Sequence, residues 1–284
     1  MVGGETRIFG GTELAARIER LEADLIGKAN EASRLRRGDD PGFAITVAGG
    51  VASFAEDGSP LNKVAGLGFG GVPSVTALEE VERAFAARRA PVQVELANLA
   101  DPAIGETLTE RGYRLVWFEN VLGLAIGHDR AAVTPEGIEV RLCGEDEYGA
   151  WLDVVFEGFA HPDGQGVPSP EDFPRDVIER AERDFSTAGA VRYVALCDGV
   201  LAGGASFRIA EGVAQLAGAA TAPAYRRRGI HTALLSARLA DAAAGGCDIA
   251  VVTTQPGSKS QQNMQRHGFD LLYTRAVLVK NPQD

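Results

Sequence analysis

Thr221-Ala222-Pro223-Ala224-Tyr225-Arg226-Arg227-Arg228-Gly229-Ile230-His231-Thr232-Ala233-Leu234-Leu235 carries an apolar strand into a helix across three consecutive arginines and a glycine. The free amides of a helix's first turn and the positive end of its dipole attract anions and repel cations. Arg226, Arg227 and Arg228 are therefore badly placed unless an anion joins them; the competing reading is a solvated charge run at a helix start. Gly229, without a Cβ, lets the backbone turn tightly and approach an oxygen closely. Ile230, Leu234, Ala237 and Ala240 recur at helical spacing and would anchor the helix on a sheet. Three guanidinium groups offer charge-assisted, bidentate contacts to more than one phosphate. The lysine of a P-loop and the three spaced glycines of a dinucleotide fingerprint are both missing here.

Comparing the chain with itself shows that this stretch has a counterpart. Residues 110–124, Glu-Arg-Gly-Tyr-Arg-Leu-Val-Trp-Phe-Glu-Asn-Val-Leu-Gly-Leu, resemble residues 266–280, Arg-His-Gly-Phe-Asp-Leu-Leu-Tyr-Thr-Arg-Ala-Val-Leu-Val-Lys, with Gly112 matching Gly268 at an offset of 268 − 112 = 156. Upstream, Lys63-Val64-Ala65-Gly66 resembles Gln215-Leu216-Ala217-Gly218 at an offset of 218 − 66 = 152, so the first half is four residues shorter between these anchors. Each copy reads as strand, connection, Ala-rich helix (75–88; 230–244) and strand (92–96; 249–253), one βαβ crossover unit. Where the second copy has Ala224 to Gly229, the first has only Gly70-Gly71-Val72-Pro73-Ser74, without an arginine. If the loop binds an anion, only the second half does so.

The rest of the chain supports this division. Residues 12–36 place Leu14, Ile18, Leu21 and Leu25 on one helical face, and 43–54 and 64–69 read as strands. The polar stretch 128–137 is the best linker, giving units of 1–130 and 137–284. The second unit reads as a strand at 138–142, a helix at 145–159, a Pro/Gly-rich stretch at 161–174, a helix at 174–186, and strands at 191–198, 201–209 and 213–221. The 284-residue length suits two domains. A net charge of −11 argues against nucleic-acid or anionic-membrane partners. Cys143, Cys197 and Cys247 are odd in number and widely spaced, which points to a reducing cytoplasm rather than a disulfide framework. No metal-ligand spacing joins them to His128, His161, His231 or His267, no apolar run approaches the roughly 20 residues of a membrane span, and no signal-peptide pattern opens the chain.

Pro223-Ala224-Tyr225-Arg226-Arg227-Arg228-Gly229-Ile230-His231 resembles the pyrophosphate loop of the GNAT superfamily of acyl-CoA-dependent N-acetyltransferases. That pattern is Gln or Arg, two residues, Gly, one residue, Gly or Ala; Arg226 and Gly229 match it, and His231 departs from its small last position. The element order over 137–280 is similar to that superfamily's, and Pro256 to Asn263 with Arg266-His267-Gly268-Phe269 resembles the segment bordering the pantetheine arm in a subgroup. The resemblance implies an α/β chain, a mixed sheet with flanking helices, in two GNAT-like domains in tandem. The first would be a degenerate, non-catalytic copy that packs on the second and walls off the acceptor cleft, an architecture similar to that of mycothiol synthase and related tandem proteins. Backbone groups of Ala219, Ala220 and Thr221 would bond pantetheine, and amides of Arg226, Arg227, Arg228, Gly229, Ile230, His231 and Thr232 would hold pyrophosphate. Ser258 and Asn263 would reach the cofactor, though both are also ordinary helix-start and helix-surface residues.

The implied reaction is attack of a neutral amine on the thioester of acetyl-CoA, with a base taking the amine's proton and an acid protonating the thiolate. The usual acid is a tyrosine four residues before the Gly-Phe pair, where this chain has Met264. Tyr273 is the nearest substitute, packing being the alternative. Glu157 and His161 lie in the segment that borders the acceptor and are the candidate bases, with exposed surface as the alternative. Trp117, Phe118, Trp151 and Phe156 are candidate aromatics between the halves, or ordinary core. Beside acetyl transfer to a small-molecule or protein amine stand two other readings. One is a CoA-binding sensor without turnover, which Met264 favours; the other is transfer from another donor such as an aminoacyl group. The acceptor and the oligomeric state are open.

Overall fold

The computed structural model describes residues 7–127, 131–161 and 173–282. The first half contains α1 (Thr12–Arg37), β1 (Phe43–Val47), β2 (Gly50–Phe54), β3 (Lys63–Leu67), α2 (Val75–Ala87), β4 (Val92–Ala97), α3 (Pro102–Glu110) and β5 (Arg114–Ala125). The second contains β6 (Ile138–Leu142), α4 (Tyr148–Ala160), α5 (Arg175–Thr187), β7 (Val191–Cys197), β8 (Val200–Ala210), β9 (Val213–Thr221), α6 (Ile230–Ala244), β10 (Ile249–Thr254), α7 (Lys259–Arg266) and β11 (Asp270–Lys280). The stretch read as one strand over 43–54 is a hairpin. Ala48 and Gly49 both take positive φ, 43° and 83°, the twist that a two-residue connection between antiparallel strands requires.

The eleven strands of the described residues form one mixed sheet in the order β1-β2-β3-β4-β11-β5-β10-β9-β8-β7-β6. Neighbours run antiparallel except β3 with β4 and β9 with β10, the crossover pair of each half. The last strand of each half lies in the other half's sheet: β11 pairs with β4, and β5 pairs with β10. These exchanged strands then pair with each other, Glu119 standing opposite Arg275. The difference 275 − 119 is again 156, so the repeat's own equivalent positions face one another there. Asn120 opposite Thr274 and Phe118 opposite Ala276 follow symmetrically. Gly112 and Gly268 share a φ of 87°, and Gly66 and Gly218 are both left-handed at 71° and 57°. The repeat read in sequence is thus a local two-fold in space, its axis at the Glu119–Arg275 pair. The linker between the halves includes 128–130, which lie outside the described residues.

Helices cover both faces, as a sheet buried on both sides demands. On one face, α2 and α3 pack over β1 to β4 through Leu78, Val81, Phe85, Ile104 and Leu108, and α6 and α7 pack over the second half through Ile230, Leu234, Leu239, Met264 and Phe269. On the other face, α4 packs on β7 and β9 through Trp151, Leu152 and Val155. There α1 lays Ala15, Ile18 and Leu21 across Ala97, Val121, Val213, Val251 and Tyr273, strands of both halves. The helix also reaches the second half through ion pairs of Arg17 with Asp248 (2.7 Å), Arg20 with Glu211 (2.5 Å) and Arg36 with Asp184 (2.8 Å).

Trp151 is completely buried against Tyr148 and donates its indole N–H to the Tyr193 carbonyl at 3.1 Å. Phe118 is exposed, and Phe156 lies under the Arg175 guanidinium. These aromatics therefore do not join the halves; the exchanged strands and α1 do. Among the described residues no helix is long and apolar enough to cross a membrane, and no group of His, Cys, Asp and Glu could hold a metal. All three cysteines are unpaired.

Candidate functional site

The second half's crossover strands part. Their parallel ladder runs from Val213 beside Ile249 to Leu216 beside Val252 and stops, although β9 continues to Thr221 and β10 to Thr254. Each keeps its outer partner, β8 and β5 respectively, so a wedge opens in the middle of the sheet. Residues 213–216 are buried, whereas Ala217 is exposed and Gly218 and Ala219 are half-exposed. Solvent reaches an interior strand here. The bend that starts the parting lies at Gly218, whose φ of 57° disfavours any side chain. Arg238, on the apolar stripe of α6 and only 2 % exposed, donates to the carbonyls of Ser206 (3.0 Å) and Ala217 (3.3 Å) and fixes the carbonyls beside that bend. The signal in sequence is a cation four residues after Leu234 on a buried face.

Following β9, the arginine loop leads into α6. Arg227 and Gly229 are left-handed, φ 63° and 86°, and Gly229 is the residue that caps the helix. Alternation of this kind turns successive amides toward one side and makes an anion-binding concavity. The first backbone bond of α6 is from the Ala233 amide to the Gly229 carbonyl, at 2.9 Å. The amides of Ile230, His231 and Thr232 thus precede the helical ladder, and Gly229 has no side chain to cap them. Arg226 donates to the carbonyls of Gly158 (3.2 Å) and His161, tying the loop to the end of α4. Arg227 is exposed, and Arg228 reaches Asp198 at 3.3 Å. Burial, then the charges of Arg238 and His267, push His231 down to about 4, so at neutral pH it brings no charge.

The equivalent place in the first half is closed in three ways. Strand β3 is buried from Val64 to its end at Leu67. Helix α2 begins nine residues after Gly66, whereas α6 begins twelve after Gly218 (75 − 66; 230 − 218), so most of the missing length lies in this loop. At the start of α2, Ser74 Oγ accepts from the Ala77 amide at 3.2 Å, so the helix satisfies its own N-terminus.

The named candidates fall into two groups. Ala219, Ala220 and Thr221 line the parted end of β9, directly before the loop of Arg226 to Thr232. Ser258 caps α7, its Oγ accepting from the Gln261 amide at 3.1 Å. Asn263 lies one turn before His267, whose Nε2 is 3.3 Å from Thr232 Oγ1, so α7 borders the first turn of α6. Glu157 and His161 are exposed at the end of α4, with His161 Nδ1 3.0 Å from the Glu157 carbonyl oxygen. Gly158 lets this helix end touch β9, since a Cβ there would stand 2.7 Å from Ala220 Cβ. Of the acceptor stretch 161–174, residues 162–172 lie outside the described residues.

Tyr273 belongs elsewhere. It is 3 % exposed under α1 and donates to Glu19 at 2.6 Å. Burial, then the Glu19 charge, raises its pKa far above that of an ordinary phenol. Met264 is buried in the core beneath α6.

One residue that the spacing argument missed lies against the wedge. Glu182 continues the stripe of Ile178 and Phe185 on α5, and its Oε1 is 4.0 Å from where a Cβ on Gly218 would sit. Burial, opposed by Arg192, raises its carboxyl to about 7.

Residues 157–269 match the family model described as the acetyltransferase (GNAT) family. A GCN5-related N-acetyltransferase from Kribbella flavida is similar with a TM-score of 0.63 and 22% identity, over 89% of this chain and 95% of its own. A tandem GNAT protein from the clavulanic acid biosynthesis pathway is similar with a TM-score of 0.58 and 12% identity, over 93% of this chain and 96% of its own. A GCN5-related N-acetyltransferase from Sphaerobacter thermophilus gives a TM-score of 0.54 and 17% identity, over 94% and 93%. No curated protein sequence matches the chain. The fold is that of the GCN5-related N-acetyltransferases, and the GNAT family match covers residues 157–269, which include the parted strand and the arginine loop. The match to the GNAT family model lies in the second half, and the chain as a whole has the fold of tandem GNAT proteins.

Proposed function

We propose that the chain transfers an acetyl group from acetyl-CoA to an amine of a small molecule or protein, using the half from residue 137 onward. The observation that carries this is the continuity of two features: β9 parts from β10 at Leu216, and its exposed end runs straight into an uncapped helix start. A pantetheine arm is an extended amide chain, and the edge of Ala219, Ala220 and Thr221 that β10 leaves unpaired suits it as a substitute strand. The pyrophosphate would then meet the amides of Arg226 to Thr232, with Arg227 and Arg228 supplying charge. Ser258 and Asn263 would flank the cofactor from α7. The Ser258 hydroxyl accepts one cap bond and keeps its proton and second lone pair for the cofactor, while the Asn263 amide offers a donor and an acceptor.

Catalysis in this reading is mainly positioning. The amine attacks the thioester carbonyl from the face of α4 and α5, and the thiolate leaves along the wedge. Glu157 and His161 stand at its mouth, near Arg226. Tyr273 drops out as the acid because its proton is held toward Glu19. A sensor that binds CoA without turnover is the second reading, supported by Met264, which puts a core side chain where the family's usual acid would stand.

Titration calorimetry with CoA, followed by thiol release from acetyl-CoA with benzylamine and 1,4-diaminobutane, tests both. Binding with amine-dependent release supports transfer; binding with none supports the sensor; no binding overturns both. The first half, 1–130, is assigned a non-catalytic role. Accordingly, Ser74→Ala is expected to lower stability by about 1 kcal/mol in urea unfolding and to leave CoA affinity unchanged. A large loss of CoA affinity would move the donor site to the wrong half.

A further inference from the structure

We propose that Glu182 is the general base, taking one proton from the acceptor's ammonium group so that a neutral amine reaches the thioester. This rests on the acetyl-transfer reading above. Its carboxyl lies on the face from which the amine approaches, 4.0 Å from the position of a Gly218 side chain, where β9 leaves β10. Ser206 Oγ lies 3.0 Å from the same point. Glycine at 218 therefore leaves a gap between the carboxyl and the parted strand, and a side chain there would fill it.

What marks Glu182 is the lack of a partner. Among the described residues, the other carboxylates sunk into this face are matched: Glu19 with Arg275 at 2.7 Å, Glu95 with Lys63 at 2.5 Å, and Asp184 with Arg36 at 2.8 Å. Glu182 makes no hydrogen bond or ion pair among them. The groups facing it are Tyr148 from α4 and Arg192 from β7. Arg192 directs its two terminal nitrogens to Glu145 at 3.0 Å and to Ser186 and lies over the Tyr148 ring, 4.4 Å away, while its Nε has no hydrogen-bond partner among the described residues. Glu182 is half-buried and has no hydrogen bond among the described residues to hold its charge, and perturbed carboxyls of this kind collect at working sites. Burial brings its titration near neutrality, where a base is most effective. By contrast, Glu157 and His161 are exposed.

The step balances simply. The ammonium proton passes to a Glu182 oxygen, and the nitrogen lone pair forms the C–N bond. The C–S bond breaks with its electrons on sulfur, the thiolate takes up the second amine proton, and Glu182 returns its own to water.

Glu182→Gln keeps the shape and removes the proton acceptor. In acetyl-CoA turnover with benzylamine and 1,4-diaminobutane, kcat is expected to fall about 100-fold, with CoA affinity unchanged as proof of folding. Wild-type kcat/KM should rise with pH through about 7, because the base must be deprotonated, and this limb should vanish in E182Q while Glu182→Asp retains it. An E182Q enzyme with wild-type kcat and the same limb overturns the assignment alone; a wild type that acetylates neither amine overturns the acetyl-transfer reading beneath it. Independently of turnover, the 13C resonance of the Glu182 carboxyl should titrate near neutrality in the free protein, and titration below about pH 5, the ordinary carboxyl range, overturns the proposal.

Discussion

Gly229→Asp is expected to abolish measurable CoA binding, while Gly229→Asn weakens it only several-fold. Both substitutions add a Cβ that would stand 3.0 Å from Pro135 Cγ, and both must adopt a φ of 86°. Asn and Asp are the side chains that best tolerate this left-handed conformation, so the strain, about 1 kcal/mol, is shared. They differ by one negative charge. Placed at the uncapped start of α6, that charge occupies the helix dipole's anion site and repels a pyrophosphate. A difference of at least about 100-fold between the two, roughly 2.7 kcal/mol, is therefore expected from calorimetric titration with CoA. Equal losses would show that shape rather than anion binding governs the position, and would remove the pyrophosphate from this loop.

Arg275→Met is expected to cost about 3–5 kcal/mol of stability, the usual penalty for leaving buried charges unmatched. Arg275 is 2 % exposed and its Nε donates to Glu19 at 2.7 Å, with Glu95 and Glu119 each at 3.7 Å. Burial opposes the guanidinium charge, but Glu19 and its neighbours outweigh it and hold the pKa above the ordinary value. Removing Arg275 strands Glu19, which is 1 % exposed; Glu95 keeps Lys63 and Gln93. Adding Glu19→Gln should recover part of the loss. In urea, the midpoint should fall with little change in slope. Far-UV circular dichroism and fluorescence of Trp117 and Trp151 should follow one transition, since β5 and β11 are each built into the opposite half. Two resolved transitions would contradict that interlocking.

Local elements were legible because their signals are local. The strands at 138–142 and 213–221 and the helix at 230–244 have the bounds their periodicity indicates. Where one strand was read over 43–54, the turn of Ala48 and Gly49 lacks the usual Asn-Gly or Asp-Gly signature. The repeat and its shortened loop were visible from glycines and apolar residues alone. Strand exchange was not, because an alternating pattern such as that of β11 fixes which face is buried but not which strand lies beside it. Glu182 and Arg238 were missed for a related reason. Each sits among apolar residues on one face of its helix; the stripe of 230–244 was read through its apolar members, and 174–186 was read only as a helix. Tyr273 was read from its distance in sequence to Gly268, whereas its partner, Glu19, lies at the other end of the chain.

The crossing point of β5 and β11 carries a further consequence for the chain's history. Were each half a separate, identical protein, two copies joined by this exchange would bring position 119 against itself. A glutamate there would meet a glutamate, and an arginine an arginine, in both cases like charges in a buried seam. Joining two copies in one polypeptide releases that constraint, since the facing positions are then encoded separately and can take opposite signs. Glu119 and Arg275 carry opposite signs. The same freedom extends to the two crossover loops: encoded separately, one can stay open at an uncapped helix start while the other is shortened and closed by the Ser74 cap.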